Sequence, residues 1–471
     1  MTIFAKIFIM KRPFLLTICF LFAISLNSFS QEENQDALFI RQIYDQALTN
    51  GQCYDWLTHL TTKIGGRLAG SPQSMAAVEY TKQVLDTLGM DKVWLQPCVV
   101  PHWNRGDKET VRVTNSALGS MDLNALALGN SIGTDDEGII AEVIEVQSLE
   151  AVEKLGEAGV KGKIIFYNRP MNPKQIRTFN AYGGAVDQRV FGASKAAKFG
   201  AVAVLVRSMT TKLDDFPHTG TLVYEEGTTK IPGLAISTND AEKLSTILKK
   251  GKASVYVKTN CGMMGDKPSY NVIGEIKGST HPDEIILVGG HLDSWDVGQG
   301  AHDDGAGCVH AMDVIQILKR LNYQPKRTIR CVLFMNEENG QGGAIAYMEE
   351  SNKKGEYHLG AIESDAGGFT PRGFTADGHE SIFVEKFQKV VEWLPLVEPY
   401  GLFLEKGGSG ADISRLKSQK GLLFGFRPDS QRYFDYHHTA ADRIEAVNQR
   451  ELELGAASMT TLVYLLDKHG L

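Results

Sequence analysis

One imidazole and a series of carboxylates in the second half of this chain could hold metal ions and cleave an amide. His291 belongs to the run Gly289-Gly290-His291-Leu292-Asp293-Ser294, and Asp303-Asp304 begins twelve residues after the histidine. Asn336-Glu337-Glu338, Asp365 and the late pair His437-His438 follow. Zinc accepts imidazole nitrogen and carboxylate oxygen, and a catalytic site keeps one position open for water. The candidate ligands are His291, Asp303, Glu338, Asp365 and His438. Five ligands suit two metals roughly 3.5 to 4 Å apart that share a bridging carboxylate and a bridging hydroxide. Asp303 suits the bridge, because the glycine-rich loop Gly298-Gln299-Gly300-Ala301-His302 before it can fold over a sheet edge. Glu337 and Glu338 diverge at a strand end, so Glu338 can bind metal while Glu337 serves as general acid/base. Asp293 is expected to hold the second ring nitrogen of His291 and fix its tautomer.

Each piece has a plainer reading: a surface His-x-Asp hydrogen bond, a helix cap at Asp303-Asp304, a solvated strand end at Glu337-Glu338. Their joint occurrence, each at the end of a buried run, favours a metal site.

The elements that must position these groups alternate. Glu284 to Val288 and Arg327 to Met335 read as buried strands, Leu359 to Ser364 as another, with helices near Val309 to Leu321 and Gly342 to Glu350 between them. That rhythm predicts an α/β fold, a mixed, largely parallel sheet flanked by helices. Ligands gather at the carboxyl ends of such strands. Upstream, helical spacing from Asp36, the loop Ile64 to Pro72, a second helix and a strand from Lys92 to Val100 form a first part of the same domain, residues 31–112. Between 113 and 260 the pattern shifts to short alternating runs such as Ile139 to Val146, predicting a β-rich insert. Residues 261–471 complete the catalytic domain.

At 471 residues two domains are expected. Lys11-Arg12 before the apolar run Phe14 to Leu26, then Ser28-Phe29-Ser30, read as a secretory signal peptide over residues 1–30. The run is short of the roughly 20 residues that span a bilayer, so no stable membrane anchor is expected after cleavage. Cleavage removes Lys6, Lys11 and Arg12, taking the formal charge from -7 to -10, which argues against a nucleic-acid partner. Of the five mature cysteines, none forms a CxxC pair.

As a set, Gly-Gly-His-Leu-Asp-Ser, Asp-Asp-Gly-Ala-Gly, Asn-Glu-Glu, Ser-Asp-Ala-Gly-Gly and the late histidine resemble the co-catalytic di-zinc exopeptidases. That family includes leucyl-type aminopeptidases and glutamate carboxypeptidases, and the likeness is greatest to its carboxypeptidase Q group. The resemblance implies two zinc ions per chain, with Asp303 bridging, His291 and Asp365 on one ion, and Glu338 and His438 on the other. It implies a cis peptide bond after Asp303 and a protease-associated-like insert serving as lid or homodimer contact. The family's spacing of histidine, three residues and aspartate fits His438 to Asp442. His437 is left as a substrate contact, and Tyr436 stands displaced from the tyrosine of some relatives. Glu405 to Asp412 resembles the loop lining the specificity pocket, which brings in Gly408, Ser409 and Asp412. The expected activity is a secreted or periplasmic exopeptidase hydrolysing dipeptides or short peptides. The alternatives are a receptor-like binding protein on the same scaffold or a glutaminyl cyclase.

Overall fold

The computed structural model describes residues 35–471, so the signal peptide expected over 1–30 lies outside the described residues. Two eight-stranded sheets organise the chain. In the first, the strand order is Lys92–Asn104, Gly262–Ile276, Arg327–Phe334, His281–His291, Tyr357–Glu363, Leu422–Pro428, Pro371–Gly378, Phe403–Lys406. The middle four of these are parallel, and antiparallel strands flank them on both sides. The expected mixed α/β sheet is thus present.

Its central strands are buried on both faces, and side-chain alternation divides them between two cores. Ile286 and Val288 join Leu333, Ile362 and Phe424 beneath the helices Ala306–Arg320 and Gln449–His469. Leu287, Val332, Ala361 and Leu423 turn the other way, onto Ala344 and Tyr347 of helix Gly342–Lys354. Ser71 caps helix Pro72–Thr87 by accepting from Ser74 N, with Pro72 at the first helical position.

The second sheet runs from Thr110–Asn115 through Ser254–Lys258, so the expected boundary at residue 113 falls inside its first strand. It is less purely β than its sequence pattern implied. Ile139–Val146, Ile164–Tyr167, Ala203–Arg207 and Gly233–Ile236 pair in parallel, with helix Leu149–Val160 in the first crossover and helix Thr238–Lys250 after the last strand. The chain leaves the first sheet at Asn104 and returns at Gly262, and those two residues pair with each other. A small core of Leu68, Trp103, Ala127, Cys261 and Trp295 fastens the insert to the main sheet.

All five described cysteines are buried free thiols. Among the described residues, no helix is long and apolar enough to cross a membrane.

Candidate metal centre

From the strand ending in His291, the chain crosses first to one side, to Arg327–Phe334, and then back past it to Tyr357–Glu363 on the other. The carboxyl ends of the strands at such a reversal diverge and leave a crevice. His291 ends one wall of it, Asp365 follows the other, and Glu337-Glu338 follows the neighbouring strand. Asp303 enters from the irregular turn Ala301–Gly305 that starts helix Ala306–Arg320, and His438 from the loop after strand Leu422–Pro428.

Five side chains meet around Asp303. His291 Nε2 lies 3.3 Å from Asp303 Oδ1 and 3.5 Å from Asp365 Oδ1. His438 Nε2 lies 3.2 Å from Asp303 Oδ2 and 3.1 Å from Glu338 Oε2. The adjacent ring of His437 stacks on that of His438, with its Nε2 3.8 Å from Asp303 Oδ2. His438 is therefore the nearer neighbour, and it alone of the two also reaches Glu338. Its positive φ of 62° is held by Thr219 N donating to its carbonyl at 3.0 Å.

The tautomers follow from the other ring nitrogens. His291 Nδ1 faces the Asp293 carbonyl at 3.0 Å, and His438 Nδ1 faces the Thr219 carbonyl at 3.3 Å. A carbonyl only accepts, so both Nδ1 atoms donate, and in the neutral rings the Nε2 lone pairs point at carboxylate oxygens. Lone pair against carboxylate is repulsive unless a cation stands between them. Asp303 Oδ2 and Glu338 Oε1 are also buried without hydrogen-bond partners among the described residues. Burial, reinforced by the Asp303 charge, pushes Glu338 up to about 7, and burial holds Glu337 well above the usual carboxylate range. Burial depresses His438, but the Glu338 and Asp303 carboxylates lift it to about 10. Imidazole nitrogens and carboxylate oxygens so crowded form a donor set that fits divalent zinc.

Supporting contacts set these positions. The Asp303–Asp304 peptide bond is cis. Asp442 accepts from the amides of His302 at 2.8 Å and Asp303 at 3.1 Å. Asp304 accepts from His291 N at 3.0 Å. Fully buried Arg67 donates to the carbonyls of Leu292, Gln299 and Gly300, bracing the loop between His291 and Asp303 from both ends. Asp293 does not hold the imidazole as its sequence position suggested. Its carboxylate is 3.9 Å from His291 Nδ1, being engaged instead by the amides of Asn336, Glu337 and Glu338, and the ring rests on its main chain.

A cavity of about 500 Å³ opens onto these groups, lined by Asp303, Glu337, Glu338, Asp365, His437 and His438. Its far wall comes partly from the insert, through Asn130, Phe179, Tyr182, Arg189, Thr221 and Val223. Aromatic rings fill one corner, where Phe179 stacks on Tyr433 and Tyr182 on Phe434. Tyr433, not Tyr436, reaches the cavity, whereas Tyr436 packs near His302 and Phe369. Gly408 lines a neighbouring cavity, but Ser409 and Asp412 are buried and line neither. The cause is Gly410, which backs onto the Glu363 carboxylate while Ile413 N donates to it at 2.9 Å, drawing the loop inward. Sequence reasoning passed over Arg67, Arg189, Tyr433 and the support given by Asp442. Only Arg67, an arginine between glycines in a loop already singled out, left a signal that could have been followed.

The sequence profile of peptidase family M28 matches residues 271–463. Carboxypeptidase Q from Bos taurus is 34% identical over 431 residues, spanning 90% of this chain and 86% of its own. The crystal structure of a peptidase M28 precursor from Shewanella amazonensis SB2B superposes with a TM-score of 0.87 at 32% identity, covering 93% of this chain and 98% of that one. A zinc aminopeptidase from Bacillus subtilis shares the fold at a TM-score of 0.63 and 21% identity, covering 88% and 95%.

Proposed function

The chain belongs to peptidase family M28 and is a zinc metallopeptidase, and we propose that it is an exported exopeptidase of dipeptides or short peptides that uses two zinc ions. The observation that carries the reading is the pair of Nε2 atoms, from His291 and His438, facing the two oxygens of one aspartate, Asp303. Asp303 would lie between the ions. His291 and Asp365 would complete one side, Glu338 and His438 the other.

Zinc, when bound, supplies Lewis acidity that polarises a carbonyl and acidifies water. The protein's own groups do the rest. Glu337 stands on the cavity wall beside Glu338; as the carboxylate it can take a proton from the attacking water, and burial, which raises its affinity for that proton, favours holding it until it passes to the leaving amine. Asp293 fixes the backbone on which Glu337 sits. Tyr433 brings a phenol among the same carboxylates, placed to donate to developing negative charge. The aromatic corner of Phe179, Tyr182 and Phe434 suits an apolar substrate side chain. Export rests on the basic and apolar leader, Lys11 to Leu26.

The test is mass analysis of products from dipeptides and from peptides with free or blocked termini, with zinc counted per chain. Glu337→Gln should keep its zinc and lose turnover by about 100- to 10,000-fold, the range general acid–base catalysis supplies. Full activity in that variant would remove Glu337 from the mechanism. Pyroglutamate release without hydrolysis would favour the cyclase.

A further inference from the structure

The cavity contains one charged group that the proposed chemistry does not use. Arg189, in the insert helix Asp187–Val190, is 7% exposed and lines the cavity. Its Nε and Nη1 are buried without a hydrogen-bond partner among the described residues. Among the described residues no carboxylate forms an ion pair with it; the guanidinium lies over the ring of Tyr182, 5.5 Å from its centre. A guanidinium does not shed its proton, so burying one with unpaired donors is costly until an anion is brought to it.

Position then says which anion. Gly220 separates Arg189 from the metal centre: a methyl group on its α-carbon would lie 2.4 Å from Arg189 Nη1 and 2.7 Å from His438 Nδ1. The guanidinium is thus beside the ring whose opposite nitrogen faces Asp303 and Glu338. Consecutive α-carbons are about 3.8 Å apart, so a group paired with Arg189 would belong to a residue next to a bond cleaved at that centre. Arg427 is the competing cation, but its Nε donates to Thr375 Oγ1 at 2.8 Å and its Nη2 to the Gly408 carbonyl at 2.7 Å, and it lines the neighbouring cavity.

We propose that Arg189 binds the free α-carboxylate of the residue on the leaving side of the scissile bond, so that the enzyme releases C-terminal residues. This inference rests on the peptidase reading above. The planar fork of the guanidinium matches a carboxylate in two parallel hydrogen bonds, and neither an amide nor a continuing peptide can take its place. The insert, by this account, reads the end of the substrate while the main sheet cleaves it.

The experiment compares kcat/KM of the zinc-loaded full chain on leucyl-phenylalanine and on its C-terminal amide. The free acid should be preferred by about 100-fold or more, the scale of truncating a buried charge-assisted pair. Arg189→Gln should bring the ratio of acid to amide to within about tenfold of unity, and Arg189→Lys, which keeps charge but not the fork, should fall between. Zinc content measured alongside reports whether each variant retains the centre. A wild-type enzyme that hydrolyses acid and amide alike would overturn the proposal without any variant. So would a ratio that survives both substitutions, or one that collapses only in Arg427→Gln. Hydrolysis of neither compound, nor of any other peptide, would instead bring down the peptidase reading and this inference with it.

Discussion

The Asp293 carboxylate accepts a hydrogen bond from Glu337 N at 3.0 Å, tying the turn after one strand to the turn after its neighbour. Asn336 N at 2.6 Å and Glu338 N at 3.3 Å converge on the same side chain. One buried carboxylate therefore sets the main chain under both glutamates, while its own carbonyl orients His291.

Asp293→Asn keeps the shape but exchanges one accepting oxygen for a donor that must face amide N–H groups. Both activity and zinc affinity should fall by about 10- to 100-fold, the usual effect of losing an outer-shell partner. Titration with a competing chelator, run beside a kcat measurement, checks this. Unchanged affinity and rate would show that the turn holds itself.

His438 and His437 should separate by metal content. His438→Ala removes the nitrogen close to both Asp303 and Glu338, and, on the proposed two-zinc reading, should lower zinc from two per chain toward one. His437→Ala, whose nearest carboxylate oxygen is 3.8 Å away, should retain both ions. Elemental analysis of dialysed protein decides, and the opposite order would give the ligand role to His437.

Arg67→Met should unfold more easily by about 3 to 5 kcal/mol, because three buried carbonyls lose their donor. The loop that carries Asp303 should loosen with it. Urea titration of the zinc-free protein isolates the folding effect, and a shift below about 1 kcal/mol would contradict this account.

Asp36 anchors the first described helix to the last. Burial pushes its carboxyl up, but hydrogen bonds from His469, Lys468 and Tyr464 overcome this and hold it at about 2, against an ordinary 3.8. A depressed carboxyl stabilises the fold above its unfolded value and loses that contribution as pH falls toward its folded value. Asp36→Asn should therefore cost about 2 kcal/mol at pH 7. The gap between wild type and variant should begin to close below about pH 5 and be roughly halved near pH 3. Denaturant curves at several pH values test it, and a gap that widens in acid would reverse the sign.

How far the sequence could be read depended on whether the relevant force was local. Buried strands ending in His291, Glu337 and Asp365 were legible because an apolar run that stops at a charged residue needs no partner to be recognised. The first part of strand Gly262–Ile276 was not legible, since Met263 to Lys267 is exposed, forms no buried apolar run and becomes a strand by pairing with Lys92–Asn104. Asp293 misled because alternation along a strand implied that its carboxylate lay beside His291, whereas amides more than forty residues on capture it. Arg189 was silent altogether, because its neighbours come from segments that only the folded insert brings near His438.

The segment Thr219 to Thr221 touches the centre three times: through Thr219 N donating to the His438 carbonyl, through the Thr219 carbonyl on His438 Nδ1, and through Thr221 Oγ1 donating to the Glu338 carbonyl at 2.5 Å. Exchanging the insert for one from another peptidase would therefore alter metal retention along with substrate choice. A chimera meant to change selectivity alone has to leave those three residues in place.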